Sequence, residues 1–195
     1  MRNLEPGNPL SDLALAHGLT NWTELVDHVR QLPYGRNRNR TNFGLVLTEG
    51  KGTCSGKHAL LAAIAREQAW AEVQLILCLY RMNEDNTPGI APVLSRARYE
   101  YVPEAHCCLE VAGEPLDVTS ADSSVARIEK DIMQRREIAP EDVGTFKVNF
   151  HEDQLYVFAA QEATSFKEVW ELREQCIAQL EKLSTTVDKR KPAIG

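Results

Sequence analysis

From Cys54 to Gln68, within TCSGKHALLAAIAREQ, the chain is so rich in alanine and leucine that it reads as the clearest helix in the sequence. Leu60, Leu61 and Ile64 share one side, and the alanines allow close approach on both flanks. Directly after it, Glu72 to Tyr80 (EVQLILCLY) alternates Val73, Leu75, Leu77 and Leu79 with a second, partly apolar set, the pattern of a strand covered on both faces. An interior helix next to an interior strand confines the chain to layered α/β solutions.

The flanking segments select among these. Ser11 to His17 reads as a short helix ending at Gly18, and a second helix starts at Asn21 as N-cap, with Trp22, Leu25, Val26 and Val29 on one face, until Pro33, Tyr34 and Gly35 stop it. Arg36 to Asn42 has no apolar periodicity and is expected to be an exposed, mobile loop. The apolar run Phe43 to Leu47 then reads as a strand feeding Cys54. Asn83 to Pro92 is turn-rich, and Glu104 to Val111 with Leu116 to Thr119 reads as a hairpin around Ala112, Gly113 and Glu114. An amphipathic helix from an Asp122 cap through Ile128, Ile132 and Met133, a strand from Thr145 to Phe150, and helices between Gln154 and Leu183 complete the expectation. The order is α+β rather than the regular alternation of a doubly wound sheet, and 195 residues without repeats predict one domain, 1–195.

Composition narrows the function classes. A net charge of −6 lacks the basic footprint of a nucleic-acid binder, although Arg36, Arg38 and Arg40, and Lys189, Arg190 and Lys191, form local basic runs. No span is apolar enough for a membrane helix and the N-terminus does not resemble a signal peptide, so no membrane partner and a cytoplasmic location are expected. Five cysteines without a CxxC pair predict free thiols. His106, Cys107 and Cys108 are too contiguous on one strand to converge on a metal, so neither metal nor cofactor is implied.

The chemistry concentrates at Cys54. Gly50, Lys51, Gly52 and Thr53 form a turn that delivers this cysteine to the start of the alanine-rich helix, where unpaired N–H groups favour a thiolate and can donate to an oxyanion. A nucleophilic cysteine needs a base and a group that orients the base. His106 opens an alternating strand on the face opposite Cys107, Leu109 and Val111. If the hairpin tip is the two-residue turn Ala112-Gly113, Asp117 falls opposite residue 108, on the face of His106 and diagonal to it; a three-residue tip would reverse that parity. Glu110 is the alternative orienter, and His58, four residues after Cys54, the alternative base.

These segments resemble the transglutaminase-like, papain-related superfamily. GTCSGKHALLAAIARE followed by EVQLILCLY is similar to its Gly-x-Cys helix and next strand, and EAHCCLEV then LDVT is similar to its His and Asp strands. The resemblance spans about Leu47 to Ser120 and implies a papain/transglutaminase-like core with extra helices at both ends. It also implies Cys54 as nucleophile, His106 as general base and Asp117 as orienter. The sequence departs where His106 is followed by Cys-Cys and Asp117 by Val-Thr, and Trp22, Tyr34, Asn39 and Asn42 stay open as second oxyanion donors.

The expectation is therefore a cysteine-dependent enzyme acting on a peptide or small-molecule amide or ester through a thioester, with hydrolysis favoured over transfer to an amine. An acetyl-CoA-dependent N-acetyltransferase and a non-catalytic binding module of the same fold are the rivals. Arg36, Arg38, Arg40 and Asn42 are the candidate substrate contacts, and they favour an anionic partner if their loop folds over the cleft.

Overall fold

The computed structural model describes residues 2–97 and 99–188, with side chains to residue 183, so the basic tail at Lys189, Arg190 and Lys191 lies outside the described residues. The elements are α1 (Pro9–Ala16), α2 (Trp22–Gln31), α3 (Leu45–Thr48), α4 (Cys54–Glu67), β1 (Val73–Met82), α5 (Ala91–Leu94), β2 (Val102–Val111), β3 (Glu114–Leu116), α6 (Val125–Ile128), β4 (Ile132–Ile138), α7 (Thr145–Gln161) and α8 (Phe166–Asp188). Helices gather around one antiparallel sheet of order β3-β2-β1-β4, a mixed α+β fold. No helix among the described residues is long and apolar enough to cross a membrane.

Each face of the sheet carries its own core. The body of α4, through Leu60, Leu61 and Ile64, packs with Leu75, Leu77, Cys107 and Leu109. On the opposite face Cys78, Tyr80, Met82 and Cys108 meet Leu155 and Phe158 of α7 and Val169 and Leu172 of α8. This two-sided cover explains why β1 reads as apolar at nearly every position.

Local signals hold where they are short-range. Asn21 caps α2 by accepting from the Glu24 N–H at 3.1 Å, and Thr53 caps α4 by accepting from Gly56 at 3.3 Å. Ala112 and Gly113 take φ of 52° and 86°, the two-residue turn that pairs Val111 with Glu114 and Leu109 with Leu116.

Three segments differ from the sequence reading. Leu45 to Thr48 is a helical turn, closed on the Gly44 carbonyl, instead of a strand into Cys54. The helix after Asp122 is a single turn capped by Ser124, and Ile132 and Met133 begin β4, the strand that covers the outer edge of β1. Thr145 to Phe150 is the first part of the 17-residue α7, because Lys147, His151, Leu155, Phe158 and Ala159 bury one helical face that the alternation of Phe146, Val148 and Phe150 conceals.

Candidate active site

A free strand edge brings the site together. In a two-residue hairpin the flanking pair, Val111 and Glu114, exchanges hydrogen bonds, so the N–H and C=O groups of residues 109, 107 and 105 and the carbonyl of Pro103 all point away from β1. β3 covers that edge only at residues 109–111. Beyond it, Pro103 sits where no ladder donor is needed, its carbonyl accepts from His151 Nε2 at 2.9 Å, and the Cys107 N–H favours the thiolate form of Cys54. His106 belongs by register to the Cys78 and Tyr80 face, whereas the body of α4 packs on the other. They meet because the first turn of α4 lies at the exposed edge of β2.

There His106 Nε2–H donates to Asp117 Oδ2 at 3.0 Å, which leaves Nδ1 unspent; the imidazole acts on the Cys54 sulfur electrostatically, and that sulfur lies 3.8 Å from Ser55 Oγ. Asp117, 8% exposed, also accepts at Oδ1 from the Thr119 N–H at 2.9 Å. Burial would raise the Asp117 carboxyl, but the His106 imidazolium and its hydrogen bond hold it well below the usual carboxylate range. Burial would likewise lower His106 and raise Cys54. Asp117 and the thiolate instead carry His106 well above an ordinary histidine, while His106, Lys147 and the Cys107 N–H bring Cys54 down to about 6. Both shifts favour the imidazolium–thiolate form of the pair. The N–H groups of Cys54 and Ser55, in the first turn of α4, have no protein acceptor among the described residues.

His58 is a strut. Its Nδ1–H donates to the Cys54 carbonyl at 2.7 Å and its Nε2 accepts from the Val118 N–H at 2.9 Å, which spends both nitrogens and fixes the neutral tautomer. Burial lowers it to about 4. Lys57, fully buried, donates to the carbonyls of Leu32 and Thr119, so consecutive residues of α4 tie down the segments before Tyr34 and after Asp117. Glu110 lies four residues along β2, opposite Gln74 and Pro115, and takes no part.

Cys54 is 7% exposed and lies where two recesses meet. One, of about 470 Å³, is floored by Tyr80, Met82, Ile128 and Leu180; the other, of about 570 Å³, is bordered by Arg36, Arg38, Arg40 and Lys147. Tyr34, Glu104 and Ile177 line both. The arginine loop therefore borders the groove, although it is pinned rather than loose: Asn37 Nδ2 donates to Glu49 Oε2 and the Lys51 carbonyl, both at 3.0 Å. Asn42 lies outside both recesses, its carbonyl accepting from Leu45 at the start of α3.

Of the aromatic and amide side chains left open as oxyanion donors, Trp22 packs edge-on against Trp70 at 5.6 Å, and Asn39 accepts from Thr41 at 3.0 Å. Tyr34 is the one adjoining Cys54; burial, then the thiolate, push its phenol upward and keep it protonated. Sequence reasoning missed Glu104, which is 5% exposed and bound by Arg173 of α8 through two 2.7 Å bonds, and whose carboxyl is lowered to about 2 against the burial that would raise it. It also missed Lys147 and His151, four apart on α7, a spacing hidden once that segment is read as a strand.

No family model, no curated protein and no solved structure matches this chain.

Proposed function

We propose that the protein is a cysteine-dependent acyl-transfer enzyme that cleaves an amide or ester carbonyl through a thioester on Cys54, with water as the favoured acceptor. The observation that carries this is the arrangement of Cys54 at a helix N-terminus, His106 beside it in the same groove and acting on its thiol, and Asp117 at 3.0 Å from His106. The order and spacing of the Cys, His and Asp segments, similar to those of the transglutaminase-like superfamily, support the same reading and a papain-like core.

The thiolate attacks the carbonyl carbon, and the C=O π pair moves onto oxygen, where the N–H of Cys54 and the Tyr34 hydroxyl can donate to it. As the oxyanion collapses, the bond to the leaving nitrogen or oxygen breaks and His106 Nδ1–H gives that atom its proton. This leaves a thioester and a neutral imidazole. A water then enters, His106 takes one of its protons, the hydroxide oxygen bonds to the carbonyl carbon, and Cys54 departs as the thiolate. Asp117 holds the imidazole orientation and balances its charge throughout.

Incubation with p-nitrophenyl acetate tests this directly. A stoichiometric burst of nitrophenolate and an acetyl adduct mapped to Cys54 are expected, both lost in Cys54→Ala. An adduct distributed over other residues, or a burst that survives Cys54→Ala, would sink the proposal.

A further inference from the structure

Lys147 is 8% exposed and lies on α7 beside Cys54, in the recess bordered by the arginine loop. The other cations there are mostly engaged. Arg173 is held by Glu104 and by Glu174 at 2.6 Å, Arg36 by Glu174 at 2.8 Å, and Arg38 approaches Glu49 at 3.5 Å. Lys57, the other buried lysine, gives its protons to two carbonyls. Lys147 has neither an ion pair nor a hydrogen bond among the described residues; it lines the recess, and the charges it acts on there are the Cys54 thiolate and the Glu104 carboxylate. Arg40, at the mouth of the same recess, also lacks a carboxylate partner among the described residues.

We infer that Lys147 binds a carboxylate of the substrate, so that the enzyme selects amides or esters carrying an acidic group on one side of the scissile carbonyl and an apolar group on the other. A carboxylate fits better than a phosphate, because the planar forks that would grip a phosphate, Arg173 and Arg36, are already occupied by glutamates. The opposite recess, with Tyr80, Met82, Ile128 and Leu180, suits the apolar part. In a chain of net charge −6, Arg40 and Lys147, the cations of this recess that no carboxylate holds among the described residues, are the local positive charges an acidic substrate would meet beside the thiol. This inference rests on Cys54 being the nucleophile.

The test uses two alkylating probes of nearly equal size, anionic iodoacetate and neutral iodoacetamide, with the label located at Cys54. In Lys147→Met the ratio of iodoacetate to iodoacetamide rates should fall about fivefold or more, and Lys147→Arg should restore most of it, as expected for loss of one poorly solvated charge interaction. Any effect of Lys147 on the thiolate itself slows both probes alike and cancels in the ratio. On the unmodified protein, succinate should protect Cys54 from iodoacetamide at concentrations where succinamide and matched chloride do not. Protection by inorganic phosphate stronger than by succinate would overturn the choice of carboxylate. An unchanged ratio in a folded Lys147→Met, or equal protection by succinate and succinamide, would overturn the inference while leaving Cys54 as nucleophile. Failure of Cys54 to react faster than the other thiols with neutral iodoacetamide would instead remove the catalytic reading beneath it.

Discussion

The rings of His58 and His106 lie 6.1 Å apart at 71°, both with Nε2 turned to Asp117, at 3.5 and 3.0 Å, yet their surroundings shift them in opposite directions. His58 spends its hydrogen bonds on two backbone groups and stays neutral. His106 lies between the Asp117 carboxylate and the Cys54 thiolate, both of which favour its charged form.

The first prediction concerns the thiol. Alkylation of Cys54 by iodoacetamide should rise through a midpoint near about 6, and His106→Ala should move that midpoint toward the roughly 8.5 of a free cysteine. Cys78 is also lowered, to about 7, through its contact with Cys108 at 3.9 Å, but it is fully buried and should label slowly. Peptide mapping of the label between pH 5 and 9 checks this; equal labelling of Cys54 and Cys78 would refute it.

His58 should matter for stability and little for reactivity. His58→Ala strands the Val118 N–H and removes the side-chain bond to the Cys54 carbonyl, costing about 1–3 kcal/mol, with the alkylation profile of Cys54 nearly unchanged. The folded state holds this histidine lowered to about 4, against roughly 6.5 unfolded, so its contribution is complete above the unfolded value and is lost as pH falls through that window. Denaturant melts should therefore show the wild type losing more stability than His58→Ala between those pH values. His106, raised on folding, acts with the opposite sign: its stabilisation is complete below the unfolded value and declines as pH rises through its folded one.

Tyr34→Phe separates oxyanion stabilisation from thiolate formation. If the phenol donates to the oxyanion, kcat should fall by about 10-fold to 100-fold while the iodoacetamide profile of Cys54 stays in place, since alkylation develops no oxyanion. A parallel loss in both measurements would mean that Tyr34 shapes the thiol instead.

The Glu104–Arg173 pair joins β2 to α8 under the groove, with Arg173 11% exposed at its side chain. Glu104→Gln leaves a buried guanidinium short of a counter-charge and should cost about 3–5 kcal/mol, whereas Glu104→Gln with Arg173→Met should cost less than the single change. Urea melts of the two singles and the double read the coupling directly. A double variant weaker than either single would refute a paired role.

What sequence could carry was local. The alanine-rich helix and the apolar strand after it declare themselves by composition, and the Ala112-Gly113 turn sets the parity that brings Asp117 to the side of His106. The arginine loop was legible as a border of the groove through Arg36, Arg38 and Arg40, while Asn42 was not a part of it. Residues 145–150 misled because Phe146, Val148 and Phe150 alternate like a strand, although Phe146 and Phe150 stack at 6.3 Å as neighbours one helical turn apart. That error concealed Lys147.

The sequence by itself determined which residues head the helix and which share the His106 side of the hairpin, because capping, periodicity and turn geometry act over a few residues. Only the tertiary structure decided that α4 reaches the bare edge of β2. There a thiol from one face of the sheet meets an imidazole from the other, and α7 and α8 bring Lys147 and Arg173 to the groove. Those meetings depend on how long β3 covers its neighbour and on where two distant helices pack, quantities that no short stretch of residues encodes.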